Sequence, residues 1–409
     1  MQLSAYIAHL TRIYISLYLY IFIYFSPIHH ISILYSAKQT HNHNIMSYKP
    51  AIASHSLGRA WVHDIEPKLR AAAAAGIPGI EIFYEDLHYL AESLPGGATP
   101  ANQIAAAQIT RSLCDLLSLD IVAIGPFSNY EGNLSPESQA SLRSVLQVWF
   151  RVAEILGTDL VQIPSTFMTE KDGFTGDLDV VVKDLRVLAD MGERNEPKMR
   201  FAYENLSFGT WVSTWKDAWD VVKAVDRENF GLCLDTFNIA AREYGDPASE
   251  SCMVDNAEVE FDASMKRMVE EIDPRKVFYV QVVDVERMKS PLVEGHEFWV
   301  KEQTPRMSWS RNARLFMFEE ERGGFLPVLK VLKAICDGLG YKGWISAELF
   351  NRSLVEKGEH VPIEHADRCM RSWEKIAEAM GWDVRVASID KEHENDTEKG
   401  DANEIFARL

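Results

Sequence analysis

GWISAELF, residues 343–350, is almost continuously apolar and carries a single acid, Glu348. Apolar runs of this length are typical of strands that are covered on both faces, as in a parallel sheet. A buried carboxylate is unfavourable unless something compensates its charge. The run therefore predicts a parallel strand in which Glu348 has a charged partner.

Seven similar runs precede it, separated by segments with the period of amphipathic helices, such as 141–157, 325–340 and 363–381. The runs are AIAS (51–54), GIEIF (79–83), DIVAI (120–124), DLVQI (159–163), RFAYEN (200–205), FGLCLD (230–235) and VFYVQVV (277–283). Eight strand-then-helix units predict an α/β fold, a (β/α)8 TIM barrel that forms one catalytic domain. A doubly wound open sheet is the alternative, but no glycine-rich phosphate turn follows the first run.

Four of the runs carry a polar residue where the strand is expected to end. These residues are Glu204, Asp235, Gln281 and Glu348. Each alone has a structural explanation, because a strand-end Asp often caps the next helix and a strand Glu or Gln can pair with a neighbouring base. In a TIM barrel, however, the carboxyl ends of all strands meet at the active site. Oxygen ligands crowded there suit a hard divalent cation such as Mg²⁺ or Mn²⁺, so we predict a metal site.

A compact basic cluster follows the seventh strand, in the long connection that includes residues 307–327. Ser310, Arg311, Asn312 and Arg314 stand close together in an otherwise acidic chain. Arginine holds a carboxylate with two parallel hydrogen bonds, so the cluster predicts a site for an anionic small molecule. Surface pairing with Glu319–Glu321 is the alternative.

Two further residues are candidates without a clear preference. Glu81, in the second strand, is either a general base, a ligand of a substrate hydroxyl, or a carboxylate with a structural partner. His55 follows the first strand and is either a substrate-binding residue or a structural histidine.

Composition restricts the partners. The chain has 409 residues and a formal net charge of -18, which argues against a nucleic acid or an anionic membrane as partner. Its five cysteines form no CxxC motif, so neither a disulfide framework nor a zinc site is indicated. We expect a small anionic substrate, and the sequence leaves a homo-oligomer open.

The two ends differ from the rest of the chain. Residues 13–25 form an apolar run that is shorter than the about 20 residues needed to span a bilayer. We expect residues 1–45 to be an extension outside the fold, with a signal-like segment as the alternative, residues 46–382 to form the barrel, and residues 383–409 to be an acidic disordered tail. A cytoplasmic location is expected. The final residues, Ala407, Arg408 and Leu409, resemble a peroxisomal address, which is the alternative.

Seven stretches resemble motifs of one known family. They are ASHSLGRAW (53–61), GIEIFYEDL (79–87), YENLSFGTW (203–211), GLCLDTFNIA (231–240), FYVQVVDVERMKSPL (278–292), MSWSRNARLF (307–316) and ISAELFNRSL (345–354). From Tyr48 to Trp382 the chain resembles fungal 3-dehydroshikimate dehydratases of quinate catabolism, which belong to the xylose isomerase-like barrels. The resemblance implies a lyase that converts 3-dehydroshikimate to protocatechuate.

The resemblance also implies roles for individual residues. Residues matching Glu204, Asp235, Gln281 and Glu348 hold a divalent metal, and those matching Ser310 and Arg314 bind the substrate. Two positions depart from the family. Asn238 stands where bacterial relatives have a histidine, a proton-transfer residue, and Gly125 stands where relatives have a glutamine. We therefore take Glu81, Asn238 and Arg314 as candidate catalytic residues, and His55, Ser310, Arg311 and Arg314 as candidate substrate ligands.

Two other functions fit the same pattern. A sugar or hydroxy-ketone isomerase or epimerase would use the same metal but would not need an arginine for a carboxylate. A non-catalytic barrel is the other alternative, although such a protein has no reason to retain four polar groups that are costly to bury.

Overall fold

The structure is a computed structural model, and it describes residues 48–382. The predicted extension 1–45, the predicted tail 383–409 and the peroxisome-like carboxyl terminus lie outside the described residues. Between residues 48 and 382, no helix has both the length and the apolar character needed to cross a membrane.

Eight parallel strands close into a barrel, as predicted. They are β1 (Lys49–Ala53), β2 (Gly79–Phe83), β3 (Asp120–Gly125), β4 (Leu160–Pro164), β5 (Arg200–Glu204), β6 (Phe230–Asp235), β7 (Val277–Gln281) and β10 (Trp344–Ala347). The order around the barrel is β1-β10-β7-β6-β5-β4-β3-β2. The first and last strands close it in register, from Lys49 opposite Trp344 to Ile52 opposite Ala347.

Helices cover the outside of the barrel. They are α1 (Ile65–Ala74), α2 (Tyr84–Ser93), α3 (Pro100–Leu116), α4 (Pro136–Leu156), α5 (Leu178–Glu193), α6 (Trp215–Val225), α7 (Thr236–Glu243), α8 (Ala257–Glu271), α9 (Pro305–Ala313), α10 (Val328–Lys333) and α11 (His360–Met380). Helix α4 ends, as the predicted segment 141–157 does, at Gly157, whose φ of 76° is the left-handed conformation typical of a C-cap glycine. Helix α10 begins later than predicted because Pro327 precedes it, and a proline disfavours helical geometry in the residue before it.

The long connection between β7 and β10 is folded against the mouth of the barrel. It contains α9 and a two-stranded antiparallel sheet, in which β8 (Asp284–Val285) pairs with β9 (Arg314–Leu315). Arg314 N donates to Phe350 O at 2.9 Å, and Asn351 Nδ2 donates to Arg314 O at 2.9 Å. The segment after β10 thus fixes the backbone of the basic cluster predicted from the sequence.

A buried ion pair joins the first two units of the barrel. Lys68 Nζ on α1 lies 2.5 Å from Asp86 Oδ1 on α2, and both side chains are almost completely inaccessible to solvent. Ser54 Oγ, after β1, donates to the other Asp86 oxygen at 2.6 Å and accepts from Phe83 N at 2.9 Å. One carboxylate therefore connects the ends of β1 and β2 to two helices.

Replacing Lys68 with methionine should leave the Asp86 carboxylate buried without a cation. We expect Lys68→Met to lower the free energy of unfolding by about 3–5 kcal/mol, measured by urea denaturation. Lys216→Met is the matched control, because the pair of Lys216 with Asp220 is exposed and should contribute at most about 1 kcal/mol. Equal effects of the two substitutions would contradict the role given to the buried pair.

Candidate active site

The strand period places the site on the inward face of the barrel. A small buried cluster, which includes Ala202, Cys233 and Tyr279, fills the barrel interior. Successive side chains of a strand point to opposite faces, so residues two positions further along share this inward face. These are Glu204 on β5, Asp235 on β6 and Gln281 on β7, and Asp235 and Gln281 are register partners. The predicted metal ligands therefore form the layer above the interior cluster.

Three of the predicted ligands converge. Glu204, Asp235 and Glu348 are buried, and each offers a carboxylate oxygen within 4.8 Å of those of the other two. Glu348 follows β10 directly. The structure thus brings together three strand ends that are far apart in the sequence, and places hard anionic oxygens at one point.

Asp235 has two roles at once. Its Oδ1 caps α7 by accepting from Phe237 N at 2.7 Å, which is the structural explanation considered for a strand-end Asp. Its Oδ2 faces the other carboxylates and accepts from Arg314 Nη1 at 2.9 Å. The cap fixes the orientation of the carboxylate, so one residue both begins a helix and turns an oxygen towards the other two carboxylates.

Two side-chain amides hold Glu204. Asn238 Nδ2 donates to Glu204 Oε1 at 2.7 Å and to Asp235 Oδ2 at 2.9 Å, while Asn238 Oδ1 accepts from Ser207 N at 2.9 Å. Gln162 Nε2, on β4, donates to Glu204 Oε2. Asn238 is therefore next to the reacting centre as predicted, with its amide engaged in orienting carboxylates. Its part in proton transfer stays a prediction.

Gln162 was not singled out in the sequence, although its position contains a signal. It lies two residues after the inward-facing Leu160, as Glu204 lies two after Ala202. Its side chain also occupies the space beside Gly125, where the sequence departs from the family. The wall of the pocket at Gly125 is thus filled from the neighbouring strand.

Arg314 is buried against the carboxylates. Its Nη1 lies 2.9 Å from Asp235 Oδ2 and 3.0 Å from Glu348 Oε2. Its Nε and Nη2 both donate to Ser310 Oγ, at 3.2 and 3.0 Å. All three guanidinium nitrogens therefore donate within the protein. The sequence predicted that Arg314 anchors a substrate carboxylate, and the structure adds that it partly neutralises the site.

Glu81 lies deeper in the barrel than expected for a residue that contacts substrate. It accepts hydrogen bonds from Tyr279 Oη at 3.0 Å, Gln281 Nε2 at 3.0 Å and Ser346 Oγ at 2.8 Å. Burial raises its pKa. Gln281 donates its amide nitrogen to Glu81, and its Oε1 accepts from the Cys233 thiol, a weak donor, at 3.3 Å. Within residues 48–382 it makes no side-chain hydrogen bond to the three converging carboxylates. The catalytic role predicted for Glu81 is untested, and its contacts are those of a residue that orients Gln281.

The charge balance of the site fits a divalent cation. Three carboxylates and the Arg314 guanidinium leave two negative charges, which one divalent cation would neutralise. Burial raises the pKa of Glu204 well above its usual value, and Glu348 and Asp235 raise it further. Burial also raises the pKa of Glu348 well above its usual value, although Arg314 opposes this. These carboxylates are unfavourable as anions without a cation, and their oxygens are the type that a hard divalent metal prefers.

A cavity of about 210 Å³ opens above the carboxylates. Glu204, Glu348 and Arg314 lie on its wall, and Ser310 and Arg311 of α9 line it as well. Four phenylalanine side chains contribute to its apolar walls: Phe83, Phe167, Phe208 and Phe350. The site therefore combines acidic oxygens with flat apolar surfaces.

Arg311 differs from Arg314 in its contacts. It is exposed, it lies 5.8 Å from the centre of the Phe167 ring, and it has no hydrogen bond or ion pair within residues 48–382. His55, the other predicted substrate ligand, lies between Phe83 and Phe350 with its ring centre 4.1 Å from each. Burial, followed by Arg59, lowers its pKa well below the usual value. His55 therefore supports the wall as a neutral ring, and a direct contact with substrate stays a prediction.

With this geometry established, comparison with known proteins gives the family. A sequence profile of the xylose isomerase-like TIM barrel family matches residues 69–382. The chain belongs to this family. It is 45% identical over 343 residues to the 3-dehydroshikimate dehydratase of Neurospora crassa, an alignment that covers 82% of this chain and 95% of that protein.

More distant relatives share the barrel. The 3-dehydroshikimate dehydratase of Pseudomonas aeruginosa is 30% identical over 285 residues, which is 69% of this chain and 36% of that longer protein. The crystal structure of the IOLI protein with a bound zinc atom superimposes with a TM-score of 0.57 and 15% identity, covering 81% of this chain and 98% of that one. At this identity the likeness concerns the fold.

Removal of one anionic oxygen should weaken cation binding without unfolding the barrel. We expect Asp235→Asn and Glu348→Gln each to lower the affinity for Mn²⁺ at least about 100-fold, measured by titration calorimetry, because the remaining charge no longer balances a divalent ion. Asparagine can still cap α7, so the thermal unfolding temperature of Asp235→Asn should change little.

Asp177→Asn provides the matched control, since Asp177 is an exposed N-cap of α5 that accepts from Asp179 N at 2.9 Å. It should bind Mn²⁺ like the wild type. Unchanged Mn²⁺ affinity in both site variants would refute the assignment of the carboxylates as ligands.

Proposed function

We propose that the chain is a metal-dependent 3-dehydroshikimate dehydratase, a hydro-lyase that forms protocatechuate. One observation supports this assignment above all. The same cavity contains carboxylates suited to a divalent cation and the guanidinium of Arg311, which has no partner among residues 48–382. The 45% identity to the Neurospora crassa enzyme over nearly the whole length of that protein supports it.

The cavity suits a flat, anionic ring. 3-Dehydroshikimate has a ring that becomes aromatic in the product, and Phe83, Phe167, Phe208 and Phe350 offer apolar walls to such a ring. Arg311 is the cation available for the ring carboxylate, because the nitrogens of Arg314 already donate to Asp235, Glu348 and Ser310. We therefore assign the carboxylate contact to Arg311, with Arg314 keeping the acids in place below it.

The reaction removes a proton next to the ketone and the hydroxyl group on the following carbon, which leave together as water, and the ring then tautomerises to the aromatic product. A divalent cation bound to Glu204, Asp235 and Glu348, with the Gln281 oxygen as a fourth ligand, would supply positive charge that makes this proton acidic. Glu204 and Glu348 are the carboxylates on the cavity wall. Both Glu204 oxygens already accept hydrogen bonds, whereas within residues 48–382 Glu348 accepts a side-chain hydrogen bond through Oε2 alone. Glu348 Oε1 is therefore the oxygen best placed to receive the proton.

A sugar isomerase or epimerase fits the same carboxylates but not the rest of the cavity. A neutral, highly hydroxylated substrate would meet four phenyl rings and an arginine without a partner. Burying its hydroxyl groups against these rings would leave them without hydrogen bonds, at a cost of about 1–3 kcal/mol each. The cavity therefore favours the dehydratase.

Turnover should depend on the cation. We expect the protein to convert 3-dehydroshikimate to protocatechuate, followed by ultraviolet absorbance, to lose this activity after dialysis against a chelator, and to regain it with Mg²⁺ or Mn²⁺. Neutral ketoses assayed in parallel should not react. Full activity after chelation would exclude the metal-dependent mechanism, and turnover of ketoses alone would favour the isomerase.

The two arginines should have different kinetic effects. Arg311→Met should raise KM for 3-dehydroshikimate about 10- to 100-fold with little change in kcat, because a charged hydrogen bond to the substrate contributes about 1.5–3 kcal/mol. Arg314→Met should instead lower kcat and alter cation affinity, because Arg314 contacts the ligand carboxylates. Arg275→Met, at the opposite end of the barrel before β7, is the control. A KM effect confined to Arg314→Met would place the substrate carboxylate at Arg314.

A further inference from the structure

Gln162 is a buried polar side chain, and its one side-chain hydrogen bond within residues 48–382 is to Glu204. It is 2% exposed, and its Nε2 donates to Glu204 Oε2. Its Oε1 has no hydrogen-bond partner within residues 48–382. A buried amide with an unpaired oxygen costs about 1–3 kcal/mol, so this geometry is unfavourable for Gln162 itself.

Gly125 provides the space that Gln162 occupies. A Cβ atom added to Gly125 would lie 2.6 Å from Gln162 Oε1 and 2.8 Å from Gln162 Cβ. The first of these atoms could move, but the second is fixed close to the β4 backbone. Any side chain at position 125 would therefore displace the Gln162 amide from Glu204 and also push the backbone of β4 away from that of β3 at this point.

We propose that Gly125 and Gln162 act as a pair that orients the Glu204 carboxylate for cation binding. Gln162 is a positioning residue, because it acts through Glu204, and Gly125 is required for its rotamer. Asn238 Nδ2 holds the other oxygen of Glu204, so the two amides fix the carboxylate plane from both sides. A neutral donor does this without cancelling the negative charge that attracts the cation. The inference rests on the proposed cation site and extends it to two residues of β3 and β4.

The test is the affinity for Mn²⁺, measured by titration calorimetry on the full-length chain. Gln162→Met keeps the length and volume of the side chain but removes the donor, and we expect it to bind Mn²⁺ about 10- to 100-fold more weakly. Gly125→Ala should give a loss of similar size by displacing Gln162. In a Gln162→Gly background, Gly125→Ala should change the affinity less than about 3-fold, because residue 162 then has neither the amide oxygen nor the Cβ atom that the new methyl group would meet.

Gln139→Met is the matched control. Gln139 is also a buried glutamine, but it donates to Tyr130 O and Asp184 and does not contact the carboxylates, so its loss should leave Mn²⁺ affinity unchanged. The unfolding temperature in chelator separates a general loss of stability from a change at the site. If Gln162→Met does not fold, Gly125→Ala decides the matter alone.

The outcomes separate this inference from the proposed function. A wild-type chain that does not bind Mn²⁺ would refute the cation site itself. A wild-type chain that binds Mn²⁺, together with Gln162→Met or Gly125→Ala variants of unchanged affinity, would overturn the positioning role and leave the cation site intact. Additive losses in the Gly125 and Gln162 double variant would also overturn the pair.

Discussion

The burial of three like-charged carboxylates at one end of a closed barrel is the constraint on which the rest of the structure depends. Two unit charges 4 Å apart repel by about 4 kcal/mol at an effective dielectric constant of 20. Three such pairs amount to roughly the whole stability of a typical domain, about 5–15 kcal/mol. The barrel therefore needs compensating charge at this point. Arg314 supplies one positive charge, and the site leaves a place for a divalent cation to supply the rest.

The hydrogen-bond donors next to Glu204 hold its carboxylate without adding positive charge that would weaken cation binding. Around Glu204 they are amides, Gln162 and Asn238, rather than lysines or further arginines. An amide satisfies a carboxylate oxygen and fixes its direction, but it adds no net charge, so the attraction for a cation is preserved. Each ammonium group in the same place would compete with the cation. Glu81, one layer deeper in the barrel, is likewise hydrogen-bonded by neutral hydroxyl and amide donors and by no cationic side chain among the described residues.

Much of the fold and the position of the acids could be predicted from the sequence, because strand period and apolar character are local properties. The bounds of β2 and β6 match the predicted runs GIEIF and FGLCLD, and the strand-end acids are visible as charges in apolar segments. The two-stranded sheet of β8 and β9 was not predicted, because its strands have two residues each, too few to show a periodicity. The filling of the space beside Gly125 by the Gln162 side chain was also not predicted. It depends on which of two adjacent strands fills a shared volume, and a single sequence does not contain that pairing.

In the proposed function, the connection between β7 and β10 supplies the contact to the substrate carboxylate, and the strand ends below it supply the acids. Glu204 and Asp235 end their strands and Glu348 directly follows one, whereas Ser310, Arg311 and Arg314 all come from one inserted segment, α9 and the start of β9. Such a division lets the two properties evolve independently. Changing the part of this insertion that faces the cavity, while Arg314 is kept, would change which molecules are admitted and leave the charge balance of the carboxylates intact. A single scaffold of this kind can therefore give rise to enzymes for acids and for neutral sugars by exchanging one loop.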